Sequence, residues 1–174
     1  APLLYLASHQ ALELSEEQIE KIVRFVNLGG TVVTTADAGS TAFTESVKQT
    51  FEPRFGYTFK NIDKDDALHS IVFRIDKPTR AMSLHNGVRH LWIHIPQDVG
   101  VLYQMHSKRD RTWWNFMANI FQYAIEKSKP RNRLETHLIP RTGNASTTVH
   151  VGRAKYSGNW NPEPLAWERF ATLM

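Results

Sequence analysis

The alternation of apolar and polar positions divides the chain into short extended and helical stretches. Leu3–Ala7 (LLYLA) is a continuous apolar run with the length of a buried strand. Ser15 stands three residues before Gln18, with Glu16 and Glu17 between them, a pattern that caps a helix N-terminus reciprocally and puts acids in its first turn. Ile19, Ile22, Val23 and Val26 follow at helical spacing and Gly29–Gly30 stops the run, so a helix is predicted over Glu16–Leu28. Thr31–Thr35 (TVVTT) is β-branched throughout and predicts a strand. A turn over 36–40 and a helix over Thr44–Phe51, ended by Pro53, complete a strand–helix–strand–helix series, the pattern of a parallel sheet.

Further along, Ser70–Ile75 (SIVFRI) alternates and predicts a strand near an edge, whereas Arg80–Leu84 fits no single pattern. In His90–Ile95 (HLWIHI), strict alternation puts Leu91, Ile93 and Ile95 on one face and His90, Trp92 and His94 on the other. The two histidines then share a face, but their separation of roughly 13 Å along a strand argues against one shared metal ion. Val101–Gln104 suits either a short strand or a helix start. Trp113–Lys127 carries Phe116, Ile120, Tyr123 and Ala124 at helical spacing, with one of Trp113 and Trp114 expected inside and Asn119 expected to bond neighbouring backbone. A stretch rich in Lys, Arg and Pro follows, with a short extended segment near Glu135–Ile139. Thr148–Tyr156 alternates again as a strand, Ser157–Asn159 reads as a turn, and Pro162 and Pro164 introduce a last helix over Leu165–Leu173.

Composition narrows the chemistry. A length of 174 residues with 41% hydrophobic positions suits one domain with a substantial core. There is no cysteine, which excludes disulfides, thiolate metal sites and cysteine nucleophiles within this sequence. No apolar run approaches the ~20 residues that span a bilayer, so a soluble domain is expected, with the compartment undefined. The chain starts at Ala1 without Met and closes inside a helical pattern, which is the expectation for a piece of a longer protein. The net charge of +4 is concentrated in part between Lys127 and Arg141, a run read as a solvated linker, with no nucleic-acid partner expected.

The segments 2–10 (PLLYLASHQ), 14–37 and 97–124 carry Ser8–His9, Ser15–Glu17, Gly29–Gly30, Asp37, Asp98–Gly100 and Asn119–Ala124 in this order. In order and spacing they resemble a bacterial domain family of unknown function that is similar to class I glutamine amidotransferase-like and trehalose-utilisation-protein-like folds. The resemblance covers about residues 2–127. It implies an α/β, three-layer, flavodoxin-like fold with a mostly parallel sheet. Such a domain usually opens with a further strand ending in Tyr, Gly and Trp; nothing precedes Leu3 here, yet the tail 149–174 (VHVGRAKYSGNWNPEPLAWERF and beyond) looks like that opening. The expected organisation is therefore a main part over 1–127, a basic linker over 128–147, and a strand–helix unit over 148–174, from a tandem copy or a permuted fold. Its strand, Val149–Tyr156, is expected to insert centrally in the sheet, since the two first strands would otherwise leave apolar edges unpaired. Exchange of that strand between two chains, giving a homodimer, is the variant.

Ligands in open α/β sheets bind outside the carboxyl ends of the strands. Under this topology His9, Asp37, Asp98, Tyr156 and Trp160 gather at that rim and are the ligand-binding candidates. Amidotransferase chemistry needs a Cys nucleophile, which is missing, and Ser40 lacks the flanking glycines of a nucleophile elbow. No Gly-x-Gly-x-x-Gly or Walker lysine pattern is present, and Tyr156–Trp160 holds a single Ser, so no nucleotide, flavin or metal cofactor is expected. The expected function is a non-catalytic module of a larger bacterial protein that binds a small polar ligand or contacts that protein's other domains. The alternative is a hydrolase of a small polar or sugar-like substrate using Asp and His at the strand ends.

Overall fold

A computed structural model describes residues 3–77, 79–106, 111–125, 150–166 and 170. Strand β1 (Leu3–Ser8) leads to helix α1 (Glu16–Asn27), strand β2 (Thr31–Ala36) and helix α2 (Thr41–Phe55). A two-residue β3 (Lys60–Asn61), a single 3₁₀ turn at Ala67–His69, and strands β4 (Met82–His85) and β5 (His90–Ile95) follow. Helices α3 (Val99–Gln104) and α4 (Thr112–Ala124) end the series. The strands form one sheet in the order β1-β2-β5-β4-β3. β1, β2 and β5 run parallel, and β4 and β3 are added antiparallel, so the sheet is an even mixture of pairings, not mostly parallel.

The local signals around α1 act as expected. Ser15 and Gln18 exchange hydrogen bonds across the first turn, with Ser15 Oγ accepting from Gln18 N at 3.3 Å and Gln18 Oε1 accepting from Ser15 N at 2.9 Å. Gly30 leaves room for the Phe25 ring: a Cβ there would stand 2.3 Å from it, so a side chain at this place would have to displace the ring. Helix α2 starts earlier than the pattern suggested because Ser40 caps it, its Oγ accepting from Phe43 N at 3.1 Å. It also runs past Pro53 to a left-handed Gly56 (φ 72°), so Pro53 lies inside its last turn and does not end it. Val101–Gln104 resolves as helix. Trp113 is partly buried against Phe116, and Trp114 is 41% exposed.

Apolar clusters fill both faces of the sheet. Val26, Phe43, Val47 and Phe51 of α1 and α2 pack against Val32, Leu84 and Trp92. Val99, Phe116 and Ile120 of α3 and α4 pack against Val33, Ile93 and Ile95. β2, buried at all six positions, lies between them.

Two expectations fail here. Ser70–Ile75 is not a strand: it wraps around the buried side chain of Asn119, which accepts from Val72 N and Phe73 N and donates to Leu68 O and Phe73 O. That side chain supplies the backbone bonds a ladder would have supplied. Nor do residues 150–156 of the expected Val149–Tyr156 strand enter the sheet centre; Val149 lies outside the described residues. β1 pairs directly with β2 along its whole length, from Leu3↔Thr31 to Ser8↔Ala36, and β2 pairs with β5. The described residues 150–156 are exposed and form no strand. A central parallel strand is buried on both faces, and Arg153 and Lys155 would have carried two charges into one of them. Within 165–173 only 165, 166 and 170 are described, and the 128–147 linker lies wholly outside the described residues.

His94 shows how polar groups are accommodated in the core. It is 1% exposed, with Nδ1 2.8 Å from Thr34 Oγ1 and Nε2 3.0 Å from Thr44 Oγ1. Thr44 donates its hydroxyl proton to Ser40 O, so its oxygen accepts from Nε2–H, and Nδ1 accepts from Thr34. Thr34 in turn accepts from Trp92 Nε1 at 2.9 Å. Every donor in this chain is used with His94 neutral. Burial, helped by Lys48, pushes its pKa down to about 4. The unfolded chain therefore binds this proton more readily. Stability is full above pH ~6.5 and is expected to fall by on the order of 3 kcal/mol as pH drops through the window to about 4. Denaturant titrations across that window check this: His94→Gln should flatten the slope, and an unchanged slope in that variant would remove His94 as its source.

Candidate functional site

The carboxyl rim expected to hold the site assembles only in part. His9 is exposed beyond β1. Asp37 opens a short 3₁₀ turn after β2, and Asp98 caps α3 after β5. Asp98 reaches across the rim: Oδ2 accepts from Ala38 N at 2.9 Å and Oδ1 from Val101 N at 3.0 Å. The Ala38 bond, then the Val101 bond, hold its pKa below the usual carboxylate range. Oδ2 thus clips the β2 and β5 loops together, while Oδ1 caps α3. Tyr156 and Trp160 are elsewhere. Tyr156 is 60% exposed, and Trp160 packs under Arg153 and Lys155, whose charges lie 5.1 and 5.6 Å from its ring centre. Their segment docks on the turn between β4 and β5, at the amino end of β5. There Asn86 donates to Pro162 O at 2.7 Å and Arg89 pairs with Glu163 at 2.6 Å. The correction follows from the missing central strand, which alone would have carried Tyr156 and Trp160 to the other rim.

The polar groups that do converge lie at that opposite side. A bulge in β5 places them. Leu84 pairs with Trp92 but His85 pairs with His90, so Leu91 has no partner across the ladder. The extra residue reverses the alternation below Trp92. Leu91 joins Trp92 in the core under α1 and α2, while His90 turns to the α4 face. His90 and His94 accordingly lie on opposite faces of the sheet, which corrects the same-face expectation. Tyr123 Oη of α4 accepts from His90 N at 3.0 Å, and the two rings meet edge-on at 5.2 Å.

The His90 ring, in a residue only 4% exposed, is held at both nitrogens. Nδ1 lies 3.0 Å from Ser83 Oγ on β4, and Nε2 lies 3.2 Å from each carboxylate oxygen of Asp66. Asp66 precedes the 3₁₀ turn and also accepts from Leu68 N at 2.9 Å. Burial opposes its charge, but the bonds from His90 and Leu68, with the nearby His90 and His69 rings, outweigh that, and its pKa lies below the ordinary value. An ionised Asp66 accepts from Nε2–H, so in the neutral ring Nδ1 is the acceptor of the Ser83 hydroxyl proton.

This chain of bonds borders a cavity of about 600 Å³ that Lys60, Asn61, Asp66, Ser83, His85 and His90 help to line. The size lies in the range of small-molecule sites. His85 Nδ1 accepts from Gly87 N at 2.9 Å, which fixes the ring's proton on Nε2, and burial next to His90 lowers its pKa. Tyr57, also on the wall, donates to Asn159 Oδ1 at 2.7 Å, so the docked tail segment braces this side of the cavity. Among the described residues no three His, Asp or Glu side chains converge as metal ligands, and no helix is long and apolar enough to cross a membrane.

Nothing in the local pattern singles out Asp66, Ser83 or His85. His90 was in view, but its partners depend on the bulge, which no alternation pattern reports.

Together these features define a mixed α/β domain with a polar, hydrogen-bonded cavity at the antiparallel side of its sheet. The chain belongs to the family described as Domain of unknown function (DUF4159), whose model matches residues 1–126. Comparison with curated proteins and with solved structures gives no match.

Proposed function

We propose that this domain is a module of a larger bacterial protein, of flavodoxin-like three-layer type, that binds a small polar ligand in the cavity bordered by Asp66, Ser83, His85 and His90. Apolar packing on both sheet faces and the parallel β1, β2 and β5 support the fold reading. The observation that carries the binding reading is the His90 ring, fixed at both nitrogens at the wall of a cavity of about 600 Å³. A cavity with a few oriented donors and acceptors suits a ligand rich in hydroxyl, amide or carboxyl groups. The carboxyl rim is the weaker candidate because Asp98 spends both oxygens on backbone.

Thermal unfolding against monosaccharides, amino acids, short carboxylates and nucleosides tests the proposal. A compound at about 100 times its dissociation constant should add about 2.7 kcal/mol, a rise of roughly 5–10 °C for a chain of this size. The rise should vanish in His85→Ala and persist in Asp98→Asn. Persistence in His85→Ala with loss in Asp98→Asn would move the site to the other rim.

A further inference from the structure

The geometry points to Ser83 as a nucleophile: a Ser83–His90–Asp66 relay that hydrolyses a small ester held in the cavity, a role that rests on the cavity being the binding site. Three observations carry it. The hydroxyl, the imidazole and the carboxylate are joined in series by contacts of 3.0 and 3.2 Å. Asp66 is itself fixed by Leu68 N, so the carboxylate is aimed and its charge favoured. All three residues line one cavity and so present the relay to a bound molecule. The ring is used in the reverse sense of the commonest serine–histidine–aspartate arrangement, with the acid at Nε2 and the hydroxyl at Nδ1. The chemistry needs only that one nitrogen donate to the acid while the other accepts from the hydroxyl.

In the first half-reaction Ser83 Oγ bonds to the ester carbonyl carbon and passes its proton to His90 Nδ1. The bond to the leaving oxygen then breaks, and that oxygen takes the proton from Nδ1 and departs as an alcohol. In the second half a water molecule bonds to the acyl carbon and gives a proton to Nδ1. The carbon–Oγ bond breaks, Nδ1 returns its proton to Oγ, and a carboxylic acid leaves. Asp66 stays ionised throughout and stabilises the imidazolium that forms in each half. Lys60 is the cross-strand partner of Ser83, so both side chains lie on one face of the sheet, and it lines the same cavity, where an ammonium would meet the charge developing on the carbonyl oxygen.

The test is labelling with a fluorophosphonate probe, followed by peptide mapping, with p-nitrophenyl acetate hydrolysis measured in parallel. The wild type should gain one phosphonyl group on Ser83. Ser83→Ala should not label, and Asp66→Asn should slow labelling by about 10²–10⁴-fold, as for other members of such relays. Circular dichroism shows whether each variant folds. Ser83→Cys, which keeps a nucleophile at this place, should be alkylated by iodoacetamide faster than free cysteine and in an Asp66-dependent way. No labelling of folded wild type, or labelling at another residue, overturns the relay. If a panel compound still stabilises the protein through His85, the binding reading stands without it; if neither labelling nor stabilisation occurs, both fall.

Discussion

Asn119→Leu is expected to lower the melting temperature by roughly 6–15 °C, although the new side chain has the same branching and the same number of heavy atoms. Asn119 is fully buried on α4, and its amide meets four backbone groups, the N–H of Val72 and Phe73 and the C=O of Leu68 and Phe73. Leucine leaves all four without this partner in a place with little access to water. At about 1–3 kcal/mol for each group that stays unsatisfied, and with partial rescue by solvent at the exposed Val72 and Phe73, a loss of about 3–4 kcal/mol follows. The effect should also reach the cavity, because the loop that Asn119 ties down begins at Asp66. Calorimetry reads the first consequence. Loss of ligand-induced stabilisation at a temperature where the variant is still folded reads the second. A shift under about 2 °C would mean that the loop holds without Asn119.

Arg89→Ala should be of similar size. This guanidinium donates to Val26 O at 2.6 Å, to Gly30 O at 3.0 Å and to Glu163 Oε1 at 2.6 Å, with its side chain 10% exposed. It joins the end of α1, the entry to β2, the β4–β5 turn and the tail segment at one point. Removing it takes a donor from the buried carbonyls of Gly30 and Val26, of which Val26 O keeps its bond from Gly29 N, and leaves Glu163 partly buried without this cation, at a cost of about 3–5 kcal/mol. Arg89→Lys should restore little, since an ammonium cannot fork to three separate acceptors in a plane. Glu163→Gln separates the two roles: it should cost less in melting temperature but expose residues 150–166 to limited proteolysis. Equal protease resistance in wild type and Glu163→Gln would show that the tail is held by other contacts.

How far the sequence reports this structure depends on the range of the forces involved. The helix α1 was legible because its signals are local: Ser15, Gln18 and the Gly29–Gly30 stop act within a few residues of where they stand. β2 was legible because a β-branched run has few alternatives. Ser70–Ile75 was misread because its alternation is real but its backbone partner, Asn119, lies more than forty positions away. Which side chains gather at which rim is not legible locally, for two related reasons. The tail strand was given a central place that β1 and β2 fill by pairing with each other, which put Tyr156 and Trp160 at the wrong end. The bulge at Leu91 then turned His90 away from His94, and only the paired strand β4 reveals that step. Asp66 sat in an acidic stretch, Asp63–Asp66, that local pattern alone reads as a solvated loop; its role comes from β5 and α4 packing over it.

The most direct test of the account is to map the binding site of whichever panel compound stabilises the protein, by ¹H–¹⁵N correlation spectra during a titration. The account predicts that the amides of Gly56, Asn61, Ser83 and Gly87 shift progressively, while those of Ala38, Gly39, Val99 and Gly100 stay in place. Shifts confined to the second group would put the ligand at the carboxyl rim and contradict the assignment of function to the His90 cavity.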